Sequence, residues 1–212
     1  MATQSAGVRG RPSVDWRRAE FVLTLLGLLG FVTLAIRVTT VYDGLPAHPL
    51  IIHVPVVLIP VSILGSLACV ARPGWFGRYG ILLCCTAIVA MSSIFLAMQA
   101  GAALRGALHL QGQAAQLINE HSHAAHILAF VFVLFTAILI LTFSATRISG
   151  EMGPTGLEPV DRVLSARSAL IGLRVALIVL ALASAFWVFR VGDLGAKAVW
   201  QGRIQAAQRN GY

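Results

Sequence analysis

The stretch GLPAHPLIIHVPVVLIP, residues 44–60, is apolar enough to open a membrane helix, yet it carries two histidines and several prolines. Within lipid, each backbone polar group must be satisfied inside the segment, and an ionisable side chain points to a role with a partner nearby. Pro55 cannot bond the carbonyl of Ile51, and Pro60 cannot bond that of Val56, so both loosen the helix they sit in. Pro49 suits a first helical position, which makes His48 a cap at the membrane surface. His53 then lies about 6 Å deeper, at about 1.5 Å rise per residue.

The rest of the chain fits a membrane setting. Of its 212 residues 58% are hydrophobic and only 11% charged, and mean hydropathy is +0.82, well outside the range of a soluble domain. Apolar runs long enough to cross about 30 Å of hydrocarbon fall at 20–41, 49–71, 79–104, 122–146 and 168–191. The expected fold is an all-α polytopic membrane helix bundle, a single domain over 1–212 with about five transmembrane helices and short interfacial helices. Run 1 is too long for a signal peptide and lacks a small-residue cleavage site, so it reads as a retained helix.

The net charge of +8 is spread over helix ends with no basic stripe, which argues against nucleic acid and for topology. Arg9, Arg11, Arg17 and Arg18 precede run 1; Arg72 and Arg78 follow run 2; Arg147, Arg162 and Arg167 separate runs 4 and 5. By the positive-inside rule these faces are cytoplasmic, giving a chain with its N-terminus inside and its C-terminus outside. Cys69, Cys84 and Cys85 lie within runs 2 and 3 and are expected to be free thiols. There is no CxxCH for covalent haem.

Between the runs, residues 105–120 suggest an interfacial helix, residues 147–168 a glycine- and proline-rich connector, and the tail from Gly192 a turn followed by an amphipathic helix. No internal repeat is evident.

All six histidines fall on the outer side of this arrangement. His53 from run 2 and His126 from run 4 reach similar depth and are expected to face one another. Neutral imidazoles on facing helices suit the iron of a b-type haem, with His48 and His123 as substitutes or a second pair. Arg37, Arg105 and Arg190, at outer helix ends, could meet haem propionates. Four imidazoles could instead take zinc or copper, or no cofactor at all is bound and His53 serves a proline-freed carbonyl. His109 and His121 read as interfacial, and Met98 as packing or an alternative soft ligand. No carboxylate pair, nucleophile elbow or phosphate loop advertises turnover. The expected role is electron transfer beside other membrane redox or respiratory subunits in the lipid bilayer, with a quinone as a possible contact. The competing expectation is a cofactor-free accessory subunit packing through small residues such as Gly101 and Ala102.

These residues carry a resemblance. GLPAHPLIIHVPVVLIP resembles the HPxxxHxP signature of the domain-of-unknown-function 2231 family of bacterial multi-helix membrane proteins. HSHAAHILAF and RVGDLGAKAVWQGR resemble its later histidine-containing helix start and its closing glycine segment. Some members look fused to Rieske iron–sulfur or other redox domains, which implies an electron-transfer setting. The resemblance carries over to His48, Pro49, His53 and Pro55, and further to His123 or His126. Where many relatives have a closing-segment histidine this chain has Asp193, and where many have a late acidic residue in the third helix it reads QAGAAL.

Overall fold

A computed structural model describes residues 41–42, 45–108, 111–148 and 167–209. Run 1 at 20–41, with Arg37, lies outside the described residues apart from Val41, as do His109 and most of the 147–168 connector.

The chain enters through a two-residue antiparallel pair, β1 (Val41–Tyr42) with β2 (Leu45–Pro46), in the register Val41↔Pro46 and Tyr42↔Leu45. Asp-Gly, the dipeptide between them in sequence, is a favoured two-residue hairpin connection. Next come α1 (Ala47–Ile51) and α2 (His53–Ala71). The first turn of a helix leaves its N–H groups without intrahelical partners, so Pro49 is tolerated inside α1. His48 is therefore no cap: the helix starts at Ala47, two residues earlier than expected, and the ring is half-buried. Bonds from Ile52 N to His48 O (3.1 Å) and from Val56 N to Ile52 O (3.2 Å) bridge the irregularity at Ile52, where Pro55 has no N–H to offer.

Helices α3 (Gly74–Ala107), α4 (Gly112–Ile148) and α5 (Arg167–Arg209) follow. Among the described residues four spans, with α1 and α2 forming one, are long and apolar enough to cross a membrane. The separate interfacial helix expected over 105–120 is absent: α3 runs on to Ala107 and α4 begins at Gly112, whose φ of +61° is a conformation glycine adopts without Cβ strain. The turn expected at Gly192 is also absent, because α5 continues straight through it. There Asp193 holds Lys197 at 2.8 Å and Arg190 at 3.5 Å, pairs at helical spacing that support the extension.

The helices form a closed ring in which α2 packs on α3, α3 on α4, α4 on α5 and α5 back on α2. Ile59, Phe76, Leu83, Cys84, Phe132, Phe135, Leu139 and Leu177 fill the centre. Cys69 and Cys84 are buried free thiols. Core hydroxyls of Ser62, Ser92, Thr136 and Thr142 donate to the carbonyl one turn back, which satisfies them without a cross-helix partner. Small residues allow close approach: a Cβ at Gly80 would lie 2.3 Å from Phe143. Gly80→Ala is expected to lower stability by about 1–3 kcal/mol, the usual cost of overpacking, read as a drop in thermal midpoint in detergent.

The ring also contains a repeat that the sequence did not reveal. Under one constant step in numbering, every buried position of α2 (Pro55, Ile59, Ser62, Ile63, Ser66, Cys69) falls on a buried position of α4 (Leu128, Phe132, Phe135, Thr136, Leu139, Thr142). Under a second step, the four buried positions of α5 (Leu177, Ala181, Ser184, Leu194) fall on Leu83, Ala87, Ala90 and Ala100 of α3. The bundle thus divides into two helical hairpins, α1–α3 and α4–α5. Residue types differ at the matched buried positions: Ile59 falls on Phe132, and Ser66 on Leu139.

Ser184, the counterpart of Ala90, is fully buried and its hydroxyl has no partner. An unsatisfied buried hydroxyl costs more than the methyl it replaces. Ser184→Ala is expected to be neutral or to stabilise by up to about 1 kcal/mol, measured by thermal unfolding.

Candidate functional site: a paired-histidine centre

At one end of the bundle, each hairpin aims one histidine inward. Nδ1–H of His48, on α1, donates to the carbonyl of Ala97 on α3 at 2.8 Å. Nδ1–H of His121, on α4, donates to the carbonyl of Val191 on α5 at 3.0 Å. A carbonyl cannot donate, so Nδ1 must carry the proton in each ring; in the neutral imidazole Nε2 is then bare, with its lone pair available. The ring centroids lie 6.3 Å apart with planes at 87°.

Each acceptor carbonyl is followed four residues later by a glycine. In a helix the Cβ of residue i+4 tilts back toward the N-terminus and covers the carbonyl of residue i, so a glycine there opens that carbonyl to an outside donor. A Cβ at Gly101 would sit 3.1 Å from His48 ring atoms, and one at Gly195 would sit 3.2 Å from His121. The two half-sites match under the same steps as the core: His48 with His121, Ala97 with Val191, Gly101 with Gly195.

The pairing expected between His53 and His126 is not the one formed. Both are exposed, and each bonds a carbonyl of its own segment, His53 Nδ1 to Leu50 O at 3.3 Å and His126 Nδ1 to Ser122 O at 2.7 Å. Direction around the helix axis separates the two pairs. His48 and His53 are five residues apart, as are His121 and His126, and five residues at 3.6 per turn is well over a third of a turn off the starting face. With the first histidine of each pair inward, the second points away. His121, expected to be interfacial, is the ring that stands beside His48. Two HxxxxH spacings, each paired with an apolar residue four before a glycine late in the next helix, are the signal that would have found it.

The remaining candidates disperse. His123 is exposed on the outer flank of α4 and Arg190 lies on the facing flank of α5, both beside a groove of about 630 Å³. Arg105 is exposed near the end of α3. Met98 is half-buried and packs against the core. At the opposite end of the bundle, Arg72 lies 5.0 Å over Trp75, Arg78 lies 5.4 Å over Tyr79 and Arg147 lies 5.5 Å over Phe143, the amphipathic pairing of a membrane–water boundary. Among the described residues no group of three or more His, Cys, Asp or Glu side chains converges.

Compared with known proteins, residues 44–208 match the family described as "Predicted membrane protein (DUF2231)". No curated protein and no solved structure matches.

Proposed function

The chain belongs to the DUF2231 family of predicted membrane proteins, and from that premise we propose that it is an electron-transfer subunit holding one b-type haem between His48 and His121. The observation that carries this reading is the pair itself: two imidazoles, each locked by a carbonyl of the neighbouring helix, each with a bare Nε2, 6.3 Å apart. With imidazole–metal bonds of about 2 Å, two rings on opposite sides of one ion have centres about 6 Å apart. Two protein donors suffice where a macrocycle supplies the other four nitrogens, whereas zinc or copper ordinarily takes further side chains.

Bound there, the haem would carry one electron between its ferric and ferrous states. The protein's own part is to fix both rings through the Ala97 and Val191 carbonyls, to leave space through Gly101 and Gly195, and to wall off water with the bundle core. Hydrogen bonds from a ligand imidazole to a backbone carbonyl set ring orientation and ligand basicity. Arg105, exposed toward the histidine end of α3, is the cation suited to propionates. With the Arg72–Arg78 end cytoplasmic by the positive-inside rule, the histidine end faces outward in a bacterial plasma membrane, and electrons pass to or from another membrane redox protein.

The test is the optical spectrum of detergent-purified protein with and without dithionite. A Soret band with sharp reduced α and β bands supports the reading. A colourless preparation containing no iron, copper or zinc would sink it and leave a cofactor-free accessory subunit; stoichiometric zinc or copper without haem would replace it with a metal centre.

A further inference from the structure

We propose that the groove between the histidine ends of α4 and α5 binds the headgroup of a membrane quinone. Its upper lining is polar, with Asn119, Glu120, His123 and Arg190, and its wall is aromatic, with Phe186 and Trp187 packed edge to face at 5.4 Å. The repeat provides an internal control for which residues belong to the scaffold. The two hairpins share the buried positions matched above and the residue types of the paired centre's histidines and glycines. At this flank they part: the counterparts of Asn119, Glu120, His123 and Arg190 in the first hairpin are Pro46, Ala47, Leu50 and Leu96. A bundle of this shape therefore forms without these polar groups, and their placement around one concavity of about 630 Å³ calls for a ligand.

Charge and shape select its class. Arg190 and Lys197 share Asp193 at 3.5 and 2.8 Å, and Glu120 accepts from the Gln116 amide at 3.1 Å. Arg190 and Lys197 against Asp193 and Glu120 leave no net charge at this flank, so the groove suits a neutral headgroup. His123 and Arg190 can donate to carbonyl oxygens, and the Phe186–Trp187 wall suits a flat ring. Below the groove α5 presents exposed Leu182, Val179 and Val175, an apolar track for a tail. Buried Ala124 and Leu194 close the seam, and Leu194 adjoins Gly195, so an occupant lies one helix seam from the His121 ring. The choice of a redox-active ring among neutral flat ones rests on the electron-transfer reading; the site itself rests on the groove.

The experiment titrates a short-tailed benzoquinone into full-length protein in phosphatidylcholine nanodiscs and follows tryptophan fluorescence. A saturable quenching component is expected that disappears in Trp187→Phe, weakens at least ten-fold in His123→Gln and Arg190→Gln, and is unchanged in Leu50→Ala on the equivalent flank. Helix content by circular dichroism and gel-filtration profile confirm that each variant is folded. Quenching that rises only linearly, as for partition into lipid, overturns the proposal. So does displacement of the quinone by phosphatidylethanolamine with an equal or greater affinity, which would make the groove a phospholipid site. Saturable quenching in colourless protein upholds the groove while sinking the haem reading, and haem bands with only linear quenching do the reverse.

Discussion

His48→Ala or His121→Ala is expected to abolish haem retention, with the reduced α and β bands lost and pyridine-extractable haem falling at least ten-fold, whereas His53→Ala and His126→Ala keep both. The contrast follows from direction. His48 and His121 are the rings whose Nδ1–H groups are held across helix seams by the Ala97 and Val191 carbonyls. His53 and His126 are exposed and bond back to their own segments. Were haem held by both rings, removing either imidazole would also shift the spectrum of any residual haem toward high spin. Equal loss in all four variants would mean a different ligand set. Loss in His53→Ala and His126→Ala alone would restore the pairing that depth by itself suggested.

Gly101→Val and Gly195→Val are expected to weaken haem retention by about 10–100-fold, the usual effect of disturbing a partner that orients a metal-bound imidazole. A Cβ alone would lie 3.1 Å from the His48 ring or 3.2 Å from His121, a separation that alanine could accommodate by a shift of a few tenths of an ångström. Valine's second shell of atoms would push the ring off its carbonyl and cover that carbonyl at the same time. The matching contacts of the two half-sites predict that the two variants behave alike. Gly106→Ala, at the same end of α3 but with no heavy atom within 4 Å of the new Cβ, is the control. It should leave the spectrum unchanged and gain up to about 1 kcal/mol from helix propensity. Unchanged haem retention in both valine variants would show that the paired carbonyls do not hold the site.

Several features follow from one-dimensional patterns and were legible in the sequence. Long apolar runs with charges confined to their ends specify membrane helices, because lipid leaves a backbone few alternatives; four such spans stand among the described residues. Pro55 located the irregularity between α1 and α2, since a missing N–H acts at one defined carbonyl. Family membership was legible in GLPAHPLIIHVPVVLIP and HSHAAH, and it is borne out over residues 44–208.

Where each histidine points was decided by packing. Depth is a count of residues, but direction depends on which face of each helix the ring of four helices turns inward, and run 4 opens with three histidines, of which His123 and His126 share a face and His121 lies on another. Gly192 and Gly195 looked like a turn because isolated glycines weaken a helix. In the fold α5 passes through them, and Gly195 is the place where His121 comes against the backbone. The repeat was likewise invisible in residue identities, since a buried position constrains volume and apolarity more than type. The sequence by itself determined that this chain is a bundle of membrane helices with its histidines at one end, because lipid acts on every residue in the same way. Only the tertiary structure decided that His48 and His121 are the pair, because that depends on how the two hairpins seat against each other.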